Sequence, residues 1–132
     1  MAPPAIVVPE GFTALTADKG VLKKIIEEGK EAEYEDDDET PPEGAMVSVH
    51  YTGSFPETGK VFESSYKLGQ PFCFTIGERG VVQGWQVAVP TMKQGEKCVV
   101  ILSPEYAYGD QGTRGIPGKS TLQFELELVE WI

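Results

Sequence analysis

A single histidine, His50, and two cysteines, Cys73 and Cys98, stand among 132 residues. Zinc sites built on Cys and His need several such ligands at short spacings, and these three lie far apart. The same scarcity leaves any serine or thiol nucleophile without the neighbouring imidazole that a hydrolase uses. Both cysteines sit in apolar runs and are expected to be reduced, small core hydrophobes. Basic residues are also few, with 11 Lys and Arg against 21 Asp and Glu. No basic stripe exists to displace counterions from phosphates, which excludes nucleic acid as the main partner. No apolar run is long enough to cross a bilayer, and no basic residue precedes the short apolar patch near the N-terminus, as a secretory signal would require. No retention or lipidation motif is found at Trp131-Ile132. The expectation is a monomer of the cytoplasm or nucleus, with no membrane partner, no metal and no cofactor.

What is present fits one ordinary domain. The acidity is mostly local: seven acids and no base occupy residues 31–40, so the net charge of −10 falls to −3 without that stretch. Asp36-Asp37-Asp38 lacks the spaced ligands and glycine of a calcium loop. Residues 1–20, rich in proline at their start, are expected to be a mobile or loosely docked extension, and 21–132 a single domain with an acidic, solvated loop at 31–43.

Within the domain, Val21, Leu22, Ile25 and Ile26 recur with helical spacing, so the local pattern of residues 21–29 favours a helix. Beyond Gly44 the signals are those of strands. Met46–Thr52 alternates, with Val47, Val49 and Tyr51 on one face and Ser48 and His50 on the other. Phe72–Ile76 is a second strand between Pro71 and Gly77. Lys97–Leu102 is nearly continuous in apolar residues, the pattern of a strand buried on both faces. In Thr121–Leu128, Leu122, Phe124, Leu126 and Leu128 alternate with Gln123, Glu125 and Glu127, the pattern of a strand with one wet face. Such a sheet needs an apolar cover, and Val81–Val89, centred on Trp85, is the candidate helix. Gly84 weakens it in isolation, so packing must hold it. The class is α+β, an antiparallel sheet around one short helix.

Several segments follow one another in a telling order: VHYTG at Val49–Gly53, GKVFESS at Gly59–Ser65, PFCF at Pro71–Phe74, VVQGW at Val81–Trp85, PEYAYG at Pro104–Gly109, then Ile116-Pro117 and Thr121-Leu122-Gln123-Phe124. Together these resemble the FKBP family, the macrolide-binding immunophilins with peptidyl-prolyl isomerase activity. The likeness covers roughly residues 44–131. It implies a curved sheet of five or six antiparallel strands around the helix, and a strand rather than a helix at residues 21–28. It further implies X-Pro peptides and proteins as substrates and tacrolimus or rapamycin as ligands. The segment leading into the domain looks like that of the first domain of larger family members.

The chemistry such an activity needs agrees with what the sequence lacks. Rotation about an X-Pro bond meets a barrier of about 18–20 kcal/mol set by amide resonance, and no bond to a heavy atom breaks. An apolar pocket that disfavours the charge-separated planar amide lowers that barrier without a base or nucleophile. By resemblance, Trp85 floors the pocket, and Tyr108, Trp85, Phe62 and Glu63 act on the bond. Tyr51, Phe72, Phe74, Val81, Val82, Ile116 and Phe124 are the implied binding residues, with Phe74 the deepest. Tyr108 would offer its hydroxyl, and Val82 its backbone N–H, to a carbonyl of the ligand. Without the family pattern Trp85 would be an ordinary core tryptophan. His50 and Ser64-Ser65 are expected to be structural, the serines as caps or turns.

The match has three departures. Glu63 stands where the family usually has Asp, and Leu68 where it often has Arg. The loop Asp110–Gly118 has one proline, Pro117, in place of a pair. A non-catalytic module using the same pocket to hold a macrolide or a protein is the alternative reading.

Overall fold

The structure is a computed structural model and describes residues 7–31 and 38–132. The start of the expected extension and the centre of the acidic loop, residues 1–6 and 32–37, lie outside the described residues. The elements are β1 (Thr13–Ala14), β2 (Val21–Glu27), β3 (Met46–Ser54), β4 (Val61–Ser64), α1 (Ser65–Leu68), β5 (Phe72–Thr75), α2 (Gln83–Ala88), β6 (Lys97–Leu102) and β7 (Leu122–Trp131). The strands form one seven-stranded sheet in the order β1-β2-β6-β7-β3-β4, and β5 shares with β4 the edge of β3 that faces away from β7. Each pairing is antiparallel. The α+β class stands, with one strand more than the upper count expected.

The alternation in β3 and β7 decides which face is covered. Val47, Val49 and Tyr51 are buried, as are Leu122, Phe124, Leu126 and Leu128, and the two rows meet in register with Tyr51 opposite Leu126 and Gly53 opposite Phe124. Strand β6 differs from expectation. Cys98, Val100 and Leu102 are buried, whereas Val99 and Ile101 are only partly covered. Only one face of this sheet is packed, and the outward Val99 is flanked across the ladder by Lys24 and Glu125, whose stems shelter it. The cysteines divide likewise. Cys98 is buried, which pushes its thiol pKa up to about 12, while Cys73 is exposed on β5 with Sγ 3.3 Å from Ser48 Oγ. Cys73 is therefore not a core residue, because its place on β5 faces away from the covered side.

The helical pattern at residues 21–29 is overridden. Residues 21–27 form β2, paired along β6 from Val21–Leu102 to Glu27–Lys97. Val21 and Leu22 are buried, but Ile25 and Ile26 are 42% and 50% exposed, so the four apolar residues do not share one covered stripe. Cross-strand hydrogen bonds to a central strand outweigh a weak local preference for helix.

The extension is tied in from Thr13 onward. Thr13 and Ala14 pair with Lys23 and Leu22, Leu15 packs on the core, and the Tyr106 hydroxyl donates to Asp18 Oδ2 at 2.8 Å. Bonds from Thr16, the Gly20 amide and Tyr106 together hold the Asp18 carboxyl below its ordinary pKa.

Helix α2 has six residues, too few to persist alone, and it lies across the covered face with Gly84, Trp85 and Ala88 inward. Gly84 permits this approach: a Cβ there would stand 2.4 Å from Leu102 Cδ2, and Leu102 is fully buried with nowhere to swing. Gly84→Ala is thus expected to destabilise the fold. The helix-propensity gain of about 1 kcal/mol is outweighed by overpacking of about 1–3 kcal/mol. A urea midpoint that falls at unchanged m-value is the expected result, and a raised midpoint would mean the helix can slide off β6.

A buried ion pair fastens the far end of α2. Lys23 Nζ on β2 lies 2.7 Å from Glu96 Oε2, and both side chains are almost wholly buried. The same ammonium donates to Thr91 Oγ1 at 2.9 Å and to Thr91 O at 3.3 Å. Glu96 Oε1 accepts the Lys93 amide at 3.2 Å. The short turn after α2 is thereby bolted to the sheet.

Candidate active site

The site forms where the ends of β3, β4 and β7 meet the N-terminal end of α2. Gly53 sits opposite Phe124 on β7 and Glu63 on β4. A Cβ at Gly53 would stand 2.6 Å from Phe62 Cζ and 2.9 Å from Phe124 Cε1, so the glycine makes room for two rings at one point of the sheet. Those rings meet edge to face with centroids 5.8 Å apart. Trp85 completes the cluster, 5.0 Å from Tyr51, 5.3 Å from Phe124 and 6.0 Å from Phe72, each in edge-on geometry. Such pairs contribute about 0.5–1.5 kcal/mol each beyond burial, which keeps the rings rigid.

The rings surround an open cavity of about 190 Å³. Drug-sized sites span roughly 300–1,000 Å³, so this one suits a single small ring and its neighbours. Nine of the eleven residues expected at the site line it: Tyr51, Phe62, Glu63 and Phe72 from the sheet, Val81, Val82 and Trp85 from the helix entry, and Tyr108 and Phe124 from the loop and strand that follow. Two do not. Phe74 is buried behind Trp85, at 6.0 Å between centroids, and supports the floor from beneath. Ile116 is buried too, but it lines an adjoining depression beyond Phe62, in a loop closed by the bridge between Thr113 and Ile116.

Two contributors were not foreseen. Gly80 lines the cavity at φ +125°, a conformation open to glycine alone. Gln86 holds the wall that leads to it, accepting from the Gly77 amide at 2.8 Å and donating to the carbonyls of Glu78 and Thr75 at 2.6 and 3.3 Å. Nothing in the local pattern distinguishes Gln86 from any polar helical residue.

Electrostatically the cavity is quiet. The Tyr51 hydroxyl donates to Glu63 Oε1. Burial first, then that bond and the Glu63 charge, raise the Tyr51 pKa far above its ordinary value. Burial first and the Glu63 charge second raise that of Tyr108, with no hydrogen bond contributing. Both phenols are neutral at physiological pH, and Tyr108, 39% exposed, keeps its proton for a ligand. His50 lies off the cavity, stacked on Tyr66 at 4.4 Å with Nδ1 2.9 Å from Ser65 Oγ. Ser65 is buried and accepts the Tyr51 amide at 2.7 Å, while Ser64 precedes α1 without a side-chain capping bond. These residues fasten the strand that carries Tyr51. Among the described residues no group of three or more His, Cys, Asp and Glu converges as metal ligands, and no helix is long and apolar enough to cross a membrane.

A family profile described as FKBP-type peptidyl-prolyl cis-trans isomerase matches residues 37–129. The chain belongs to this family. Its enzyme class is accordingly peptidyl-prolyl cis-trans isomerase. FK506-binding protein 59 of Drosophila melanogaster is 42% identical over 126 residues, which are 94% of this chain and 27% of that protein. FK506-binding protein 1 of Dictyostelium discoideum is 43% identical over 83% of this chain and 96% of its own length. A peptidyl-prolyl cis-trans isomerase of Schizosaccharomyces pombe is 40% identical, with 83% and 93% covered. In three dimensions the crystal structure of FkpA from Escherichia coli superposes with a TM-score of 0.77 at 34% identity, over 93% of this chain and 52% of that one.

Seen as an FKBP-type pocket, the two departures of side chain have different consequences. Glu63, longer than the usual Asp, still reaches the Tyr51 hydroxyl. Leu68 is 66% exposed on α1 and does not line the cavity, so the Tyr51–Glu63 pair forms without help from that position.

Proposed function

We propose that the cavity takes the proline ring of an X-Pro segment and lowers the barrier to rotation of its peptide bond, in peptides and in folding or regulated proteins. The observation that carries this reading is a small cavity with aromatic walls, floored by Trp85, with the Tyr108 hydroxyl at its rim free of hydrogen bonds among the described residues. The planar amide is charge-separated and is stabilised by water. The aromatic walls exclude water and favour the twisted, less polar state. Val82 precedes the first turn of α2, so its N–H lies outside the helical ladder, which supports its assignment as a donor to a substrate carbonyl. Tyr108 donates to another. One chain supplies every wall, so a monomer suffices. Tacrolimus and rapamycin, competing for the same cavity, are proposed as competitive inhibitors.

Tyr108→Phe tests this directly. A neutral hydrogen bond contributes about 0.5–1.5 kcal/mol, so kcat/KM on a Leu-Pro peptide is expected to fall about two- to tenfold. The rate is expected to stay flat from about pH 6 to 8, because both phenols have raised pKa values and linked losses begin only above about pH 10. A thousandfold loss in folded Tyr108→Phe, or a steep limb near neutrality, would mean acid–base chemistry instead. A folded sample that binds tacrolimus without accelerating isomerisation would be a binding module.

A further inference from the structure

The surface beside the proline cavity is positive on a chain whose net charge is −10. The adjoining depression shares Phe62 and Glu63 with the cavity and is walled by Lys60 and Arg114. It runs on, past Phe55 and Gly115, into a groove that carries Lys119. All three cations are exposed, and among the described residues none forms an ion pair, in contrast to Lys23, Lys93 and Lys97. The acids on this path are Glu57 and Glu63, two against three cations, and one oxygen of Glu63 is taken up by the Tyr51 hydroxyl. The opposite rim, beyond Gly80 and Val81, carries Arg79 beside Glu78 and so no net charge. The cations also sit on closed turns: the Phe55 amide donates to Lys60 O at 3.0 Å, Thr113 and Ile116 exchange bonds, and the Lys119 amide donates to Gly109 O at 2.9 Å.

We propose that this groove selects substrates with an acidic side chain close to the proline, on one side of the X-Pro bond only. The proposal rests on the isomerase reading of the cavity and names the substrate class that reading leaves open. A peptide seated with its proline over Trp85 must leave the cavity along a rim. The rim past Phe62 offers two unpaired cations within one depression, whereas the other is neutral. Range decides whether the protein's overall acidity cancels this. At about 0.15 M salt the Debye length is about 8 Å, so a substrate carboxylate in the groove responds to Lys60, Arg114 and Lys119 rather than to remote acids such as Glu31 and Glu39. At about 0.01 M the length is about 30 Å, and the whole negative charge repels the peptide. The preference therefore passes through a maximum near physiological ionic strength and disappears by about 1 M salt, where charges are screened within about 3 Å.

The experiment compares short Leu-Pro peptides carrying Glu or Gln at a single position, scanned along both sides of the proline. Both kcat/KM and the affinity, by calorimetry, are measured across that salt range. Exposed ion pairs are individually weak, so the expected preference for Glu is about threefold, on one side of the proline only. The triple variant Lys60→Gln/Arg114→Gln/Lys119→Gln is expected to lose the preference while turning over the Gln peptides as before. Equal values for Glu and Gln peptides near physiological salt would overturn the proposal. So would an equal gain on both sides, or a preference that survives in the triple variant. Absence of turnover for every peptide would instead strike the isomerase reading, and the calorimetric ratio would still decide the groove.

Discussion

Trp85→Ala is expected to remove about 3–5 kcal/mol of stability, the cost of truncating a large buried aromatic side chain. Set against a total of about 5–15 kcal/mol, that leaves a marginal protein. Four aromatic neighbours, Tyr51, Phe72, Phe74 and Phe124, lose their common partner and cannot all close on the void. Activity is expected to fall further than for Tyr108→Phe. The substrate's proline ring loses its floor, and burying an apolar group of that size is worth about 1.5–3 kcal/mol, or about ten- to hundredfold in kcat/KM. Trp85→Phe separates the two effects. The indole Nε1–H is buried with no acceptor among the described residues, so Phe forfeits no hydrogen bond and is expected to keep the fold. Its urea midpoint is expected between those of the parent and Trp85→Ala, with kcat/KM still lowered. A folded Trp85→Ala with parental kcat/KM would mean that isomerisation takes place elsewhere.

Glu96→Gln is the second large effect, and it reaches the site from outside. Removing the carboxylate's charge strands the Lys23 ammonium in the core with only neutral acceptors, Thr91 among them. Breaking a buried pair from one side costs about 3–5 kcal/mol. The double variant Lys23→Met/Glu96→Leu is expected to lose less than Glu96→Gln alone, since no uncompensated charge remains and the volume is kept. Urea unfolding of Lys23→Met, Glu96→Leu and the double variant yields the coupling free energy. Additive losses would mean that the two groups do not depend on one another. The turn fastened by this pair follows α2 directly, so Glu96→Gln is also expected to loosen the helix that presents Trp85. Faster amide exchange across Gln83–Val89 would report it.

Much of the site could be read in the chain. The phases of β3 and β7 were visible because side chains alternate at a period of two, and a single sequence window contains that period. The ordered segments from VHYTG to Thr121–Phe124 supplied nine of the cavity's residues. Lys23 and Glu96 gave no such signal. In sequence each is an ordinary surface charge, and only folding brings Lys23 against Thr91, 68 positions away. Gln86 escaped notice for the same reason: its bonds run to backbone groups of a preceding loop, which any polar residue could serve in principle.

The sequence by itself therefore determined the class of the sheet, the inward rows of β3 and β7, and the family. Those conclusions depend on local periodicity and on which residue types are available. Tertiary structure alone decided the register in which residues 21–27 pair along β6, the exposure of Cys73, and the place of Ile116 in the neighbouring depression rather than the cavity. It also decided that Lys60 and Arg114 stand beside Phe62, with Lys119 further along the same groove. Burial and charge proximity depend on what another part of the chain lays over a residue, and no pattern within one segment encodes that covering.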